Sequence, residues 1–137
     1  CALYGYTMCD RETGYRRYLD RAVQIADYIL SHENLPDDGI PYWDFHAPDI
    51  PAAPRDASAA AILCSALYEL FTFTNDPALK KHADLILSTL SSDEYKGRGG
   101  FILDHSVGFK PAESEVDKPL NYADYYYLEA NLRRAAL

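Results

Sequence analysis

An apolar register that returns after 61 positions constrains this chain more than any other feature: Tyr18, Ala22, Ile25 and Ile29 recur as Leu79, Ala83, Ile86 and Leu90. Both sets follow the i, i+4, i+7, i+11 spacing that lines one face of a helix. Thr13 precedes the first set as Thr74 precedes the second. A unit of this length, repeated, is a supersecondary element that must stack on its neighbours to bury its face.

The unit reads as a helical hairpin. Helices are expected at about 1–11, 15–32, 56–73, 77–91 and 121–136, an all-α arrangement. Residues 57–73 contain only Glu69 as a charge, the signature of a helix buried on all sides. By contrast, 15–32 carries Arg16, Arg17, Asp20, Arg21 and Asp27 opposite its apolar stripe, and 77–91 carries Lys80, Lys81 and Asp84. Inner helices therefore alternate with outer, half-solvated ones, as in a double-layered ring or solenoid. Five helices make an open arc, and its uncovered apolar faces predict self-association.

The connections are unequal. Links from inner to outer helix are short (11–14 and 74–76), whereas those from outer to inner run over about 33–55 and 92–120. Because the helices alternate in direction, both long crossovers must fall on one end of the assembly. Long loops in a compact domain are usually functional. Inner helices start at that same end, presenting free N–H groups and a positive dipole that favour an anionic ligand.

The net charge of −8 argues against nucleic acid and against an anionic membrane surface. No apolar run approaches the roughly 20 residues of a membrane span, and no N-terminal signal peptide is legible. Cys1, Cys9 and Cys64 have no metal-ligand spacing, which points to free thiols in a reducing, cytoplasmic setting. Leu3, Tyr4, Tyr6 and Met8 already read as a helix with no cap before it, so the chain is expected to open inside a longer domain.

Several runs carry a family resemblance. Gly39-Ile40-Pro41-Tyr42-Trp43-Asp44-Phe45 leads to Ala47-Pro48-Asp49-Ile50-Pro51 and then to Arg55-Asp56-Ala57-Ser58-Ala59-Ala60-Ala61-Ile62. Later come Gly100 to Gly108 and Glu115 to Ala130, the last containing Asn121-Tyr122-Ala123-Asp124-Tyr125-Tyr126-Tyr127-Leu128-Glu129. In order and spacing these runs resemble the unsaturated glucuronyl hydrolases and, more distantly, the unsaturated rhamnogalacturonyl hydrolases. The resemblance implies that residues 1–137 form the C-terminal arc, about two and a half hairpins, of a six-hairpin (α/α) toroid. Six such units need roughly 360 residues.

It also implies a reaction. Such enzymes act on lyase-generated oligosaccharides, from glycosaminoglycan or pectin, whose non-reducing end is a 4,5-unsaturated uronic acid. An aspartic acid protonates the double bond, water adds at C5, and the hemiketal opens to release the sugar, with no cofactor or metal. This hydration differs from the two-carboxylate displacement of ordinary glycosidases. The family's catalytic aspartates lie before the Leu3-Tyr4-Gly5-Tyr6 run, so no catalytic residue is assigned here and the chain alone is expected to be inactive. Cys1 stands where the family has a substrate-contacting Trp, which places that part of the site in question. A helical-repeat protein-binding module and another toroid enzyme, an epimerase or lyase, are the alternatives.

Substrate-contact candidates each have a structural counterpart. By resemblance Tyr122 reaches the cavity; otherwise it belongs to a core tyrosine stripe with Tyr125, Tyr126 and Tyr127. Asn121 is the expected cap of that helix and Asp124 a second candidate. Arg55 suits a bidentate carboxylate contact, or braces Asp49 or Asp56. Asp56 is well placed as an N-cap. Trp43 offers an indole for sugar stacking or plugs its loop. Ser106, with His105 and Lys110, borders the site for the rest of the sugar chain. Asp44, His46 and Asp49 match no strong metal spacing. Asp104, His105 and Ser106 are adjacent and so cannot converge as a triad. Gly97, Gly99 and Gly100 are read as a turn before a short strand at Phe101–Leu103.

Overall fold

The computed structural model describes residues 1–137 and shows five helices, three inner and two outer. In order they are α1 (Ala2–Thr13), α2 (Arg16–Leu30), α3 (Ala57–Thr74), α4 (Pro77–Leu90) and α5 (Asn121–Ala135). Helix ends follow local chemistry. The Asp76 side chain accepts from the Ala78 amide at 2.9 Å, and Pro77 opens α4 where its missing N–H costs nothing. Gly14 ends α1 at φ 69°, the left-handed conformation that a glycine adopts without strain.

The core lies around α3, which packs on α5, α4 and, less extensively, α1. Nearly every residue from Ala57 to Leu70 is buried. By length and hydropathy α3 also qualifies as a membrane span, contrary to the sequence reading, but 72% of that stretch is buried within this protein. Its apolarity is spent on neighbouring helices.

Inner helices are not all enclosed. Only α3 has neighbours on both flanks. On α5, Tyr125, Leu128 and Leu132 are exposed, Leu132 by 72%, and on α1 Tyr6 and Met8 are exposed too. The repeat also differs in depth: Leu79, Ala83, Ile86 and Leu90 are all buried, whereas of the first set only Ala22 is. In α2 the buried stripe is Leu19, Ala22 and Ala26, turned toward α1, its main neighbour.

Both long crossovers lie on one rim. The Asp56 amide donates to the Pro41 carbonyl of the first crossover at 2.8 Å, and the Ala57 amide donates to the His105 carbonyl of the second at 3.0 Å. The second crossover contains a small antiparallel sheet, β1 (Ser106–Phe109) with β2 (Ser114–Lys118), an addition to the expected all-helical plan. The strand expected at Phe101–Leu103 is reduced to a single antiparallel bridge between Leu103 and Lys96, closing a tight turn. Gly97 donates to the Ile102 carbonyl at 2.8 Å, and a Cβ on Gly97 would sit 2.2 Å from the Phe101 oxygen. The amides of Ile102 and Leu103 are taken by the Asp124 carboxylate, so no strand partner can use them.

Candidate functional site

The crossover rim holds a cavity of about 590 Å³. Its wall comes from the first turn of α1, the last turns of α2 (Ile25, Tyr28, Ile29), the Tyr42–His46 segment, the first turns of α3, Val107 of β1 and Tyr122 of α5. Trp43 and Tyr122 therefore meet at one site although 79 residues separate them.

The loop that carries Trp43 is braced from behind. His32 stacks on Phe45 with ring centroids 4.3 Å apart, and the Asn34 amide group donates to the Phe45 carbonyl at 2.7 Å. The Trp43 amide donates to the Pro54 carbonyl at 3.0 Å. The indole Nε1 is buried without a partner in the protein.

Arg55 belongs to the bracing and not to the cavity wall. Its Nε donates to the Ile40 carbonyl at 2.8 Å, its Nη2 pairs with Asp38, and its guanidinium lies 5.3 Å from the Tyr42 ring centroid. The partner is Asp38 and neither Asp49 nor Asp56, because the chain doubles back between Ile40 and Arg55.

Asp124 likewise faces away from the cavity wall. Its two oxygens accept from the Ile102 and Leu103 amides at 3.0 and 2.9 Å, clamping the second crossover to α5. Asn121 does not cap α5: Leu120 holds the cap position and no side chain bonds there. Ser106 is fully buried and its hydroxyl has no partner; its neighbour Val107 is the one that reaches the wall.

At the start of α3, Asp56 accepts from the amides of Ser58 at 3.0 Å and Ala59 at 3.3 Å, from the Ser58 hydroxyl at 2.6 Å, and from the Val107 amide at 3.2 Å. These bonds consume the N–H groups expected to attract an anion, so the end of α3 is not an open anion site. Burial raises the Tyr122 phenol above its ordinary value, and the charges of Asp56 and Glu115 add to this.

The wall carries no lysine or arginine; its ionisable side chains include Asp44, Asp56 and His46. A largely aromatic and apolar wall with few polar groups suits the ring of a sugar better than its charge. No group of three or more His, Cys, Asp or Glu is arranged to hold a metal. Asp104 pairs with Arg98 and His105 with Asp117, so neither is directed at the Ser106 hydroxyl.

Sequence reasoning missed several wall residues, among them Tyr4, Tyr28, Phe45 and Ser58. Ser58 was accessible in principle, two positions after a capping aspartate and thus on the same first turn. Tyr4 was not, because its place depends on contacts with α5.

Inner and outer helices in alternation, with both crossovers and an aromatic cavity on one rim, define an arc of an (α/α) toroid. No family model matches the chain. An unsaturated glucuronyl hydrolase of Formosa agariphila is 49% identical over 140 residues, covering 99% of this chain and 35% of that protein. One of Bacillus sp. strain GL1 is 34% identical, covering 96% of this chain and 36% of that protein. A solved unsaturated glucuronyl hydrolase specific for heparin superposes with a TM-score of 0.95 at 49% identity, over 98% of this chain and 38% of that one. The chain is thus a homologue of one segment of the unsaturated glucuronyl hydrolases, spanning about a third of their length, and its helices form one arc of the (α/α)6 toroid that those proteins have.

Proposed function

We propose that this chain supplies the C-terminal arc of an enzyme that hydrates the 4,5 double bond of a non-reducing-end unsaturated uronic acid and so releases that sugar. The observation that carries the reading is the convergence of Trp43, Phe45, Tyr28 and Tyr122 on one cavity at the crossover rim. In this reading the arc contributes sugar-binding wall, and the proton donor comes from outside these residues. Asp56 is committed as a fourfold hydrogen-bond acceptor, and Asp44 is exposed and accepts from the His46 amide at 2.7 Å. Neither is placed as a shielded acid.

A glycosaminoglycan-derived substrate is favoured over a pectin-derived one. Its support is the heparin-specific homologue and the Streptococcus pneumoniae relative, 29% identical, named an unsaturated chondroitin disaccharide hydrolase. Three free thiols suit a cytoplasmic setting. The exposed faces of α1 and α5 support self-association of the isolated arc, read as a concentration-dependent mass in sedimentation.

Trp43, the chain's sole tryptophan, makes binding directly readable. Titration with an unsaturated uronyl disaccharide is expected to shift its emission, and a saturated disaccharide to do so less. For the reaction, a protein of the relatives' full length that carries this chain is expected to bleach the ultraviolet absorbance of the disaccharide. The 137-residue chain alone is expected not to. Turnover by the chain alone would locate the acid here and overturn the assignment; binding of a protein partner with no sugar response would favour a repeat module.

A further inference from the structure

We infer that Glu129 is a positioning residue: by accepting a hydrogen bond from the Tyr4 hydroxyl from behind the cavity, it fixes Tyr4 as part of the wall against which the sugar packs. The ligand part of this inference rests on the substrate reading above. The contact itself does not.

The Tyr4 hydroxyl donates to Glu129 Oε1 at 2.9 Å across 125 residues of sequence, joining α1 to α5. The Ser65 hydroxyl of α3 donates to Glu129 Oε2, so one carboxylate ties three inner helices. Arg133 lies 3.6 Å from Glu129 and 3.0 Å from Glu69, and its Nη1 donates to the Ser65 carbonyl at 2.8 Å. Arg11 closes the set on Glu69 from α1. The same Arg133 guanidinium sits 5.1 Å from the Tyr4 ring centroid, and the Tyr126 ring meets Tyr4 edge-on at 5.3 Å.

Tyr4 lines the cavity and Glu129 does not. With its one hydroxyl proton given to Glu129, Tyr4 has none left for a sugar and presents carbon to the site. Without Glu129, a half-buried phenol would have to turn toward water or toward the cavity to satisfy its donor, and either movement spoils the wall. Burial, the hydrogen bond to Glu129 and the Glu129 charge together push the Tyr4 phenol up to about 12, so the hydroxyl keeps its proton and remains a donor.

The test uses the 137-residue chain with ring-labelled tyrosine, Tyr4 being assigned by its disappearance in Tyr4→Phe. Between about pH 9 and 11, around the ordinary tyrosine value, wild-type Tyr4 is expected to stay protonated. In Glu129→Gln, which keeps shape and an acceptor but loses the charge, Tyr4 is expected to ionise earlier. An unchanged titration overturns the contact. Affinity for an unsaturated uronyl disaccharide, read from Trp43 emission, is expected to fall about tenfold in Glu129→Ala, which removes the acceptor, and to change little in Glu129→Gln. The double variant Glu129→Ala with Tyr4→Phe is expected to bind no worse than the weaker single variant. Additive losses would show that Glu129 acts by another route and overturn the inference. If the wild-type chain ignores the disaccharide, the substrate reading fails, and the Tyr4 titration still decides the positioning contact.

Discussion

Val107 donates its backbone N–H to the Asp56 carboxylate at 3.2 Å, although 51 residues separate them. That bond attaches the second crossover to the first turn of α3, while the Asp56 amide holds Pro41 of the first crossover at 2.8 Å. One residue therefore joins both crossovers, and the cavity wall inherits its shape from that junction.

Asp56→Ala is expected to destabilise the chain by about 3 kcal/mol. Loss of an N-cap costs about 1 kcal/mol, and each buried donor left without an acceptor costs about 1–3 kcal/mol. Asp56→Asn, which still caps, should lose much less. Urea unfolding measures both; a loss below about 1 kcal/mol for the alanine variant would show that the junction does not depend on this side chain.

Trp43 separates binding from stability. Its buried indole nitrogen has no protein partner, so Trp43→Phe removes no hydrogen bond and should cost little in folding. Trp43→Ala strips a ring from the cavity wall and is expected to weaken disaccharide binding about tenfold, equivalent to about 1.4 kcal/mol. Calorimetric titration of the two variants checks this, and equal affinities would remove Trp43 from the sugar contact.

Acid should unfold the chain partly through Asp104. Burial acts to raise the pKa of this 1% exposed carboxyl, but Arg98 and the His105 amide outweigh burial and hold it below the ordinary value. Asp84 is held low too, against burial, by Lys80, Tyr68 and Arg134. A group depressed in the folded state contributes stability above its unfolded value of about 4, and that contribution is lost as pH falls through the folded value. Stability should therefore drop below about pH 4, less steeply in Asp104→Asn. Urea midpoints across that range test the difference, and identical slopes would contradict it.

The three thiols should react in order of exposure. Burial, with the Asp84 charge adding to it, pushes the Cys64 thiol up to about 12, while Cys1 is exposed and Cys9 half-buried. Because the thiolate is the reacting species, iodoacetamide near about pH 8 should modify Cys1 first and spare Cys64 until the chain unfolds. Mass spectrometry of the labelled peptides reads the order; early labelling of Cys64 would show that α3 is less enclosed than its burial indicates.

Much of this architecture was legible before any coordinates. The apolar stretch from Ala57 to Leu70 has only one place to go, the middle of a helical layer, and Asp56 is an evident cap. Unequal links between antiparallel helices put both crossovers on one rim by direction alone. Trp43 could be chosen as a candidate because its loop falls on that rim, whereas Tyr122 was chosen from the family resemblance of its run.

Tertiary packing decided the rest. Arg55 carries a charge that suits a uronate, yet Asp38 and the Ile40 carbonyl claim it; Asp124 opens an inner helix, yet two loop amides claim it. Such choices turn on distances of 2 to 4 Å between segments far apart in the chain, whereas helical periodicity reports only which side of its own helix a residue occupies. The Tyr4–Glu129 contact is of the same kind, and no local pattern near either residue announces it. Residue order determined the helices, their buried and wet faces and the shared rim, because those follow from local spacing. Which polar groups remain free to meet a ligand was settled only when the folded chain had satisfied its own buried donors and acceptors.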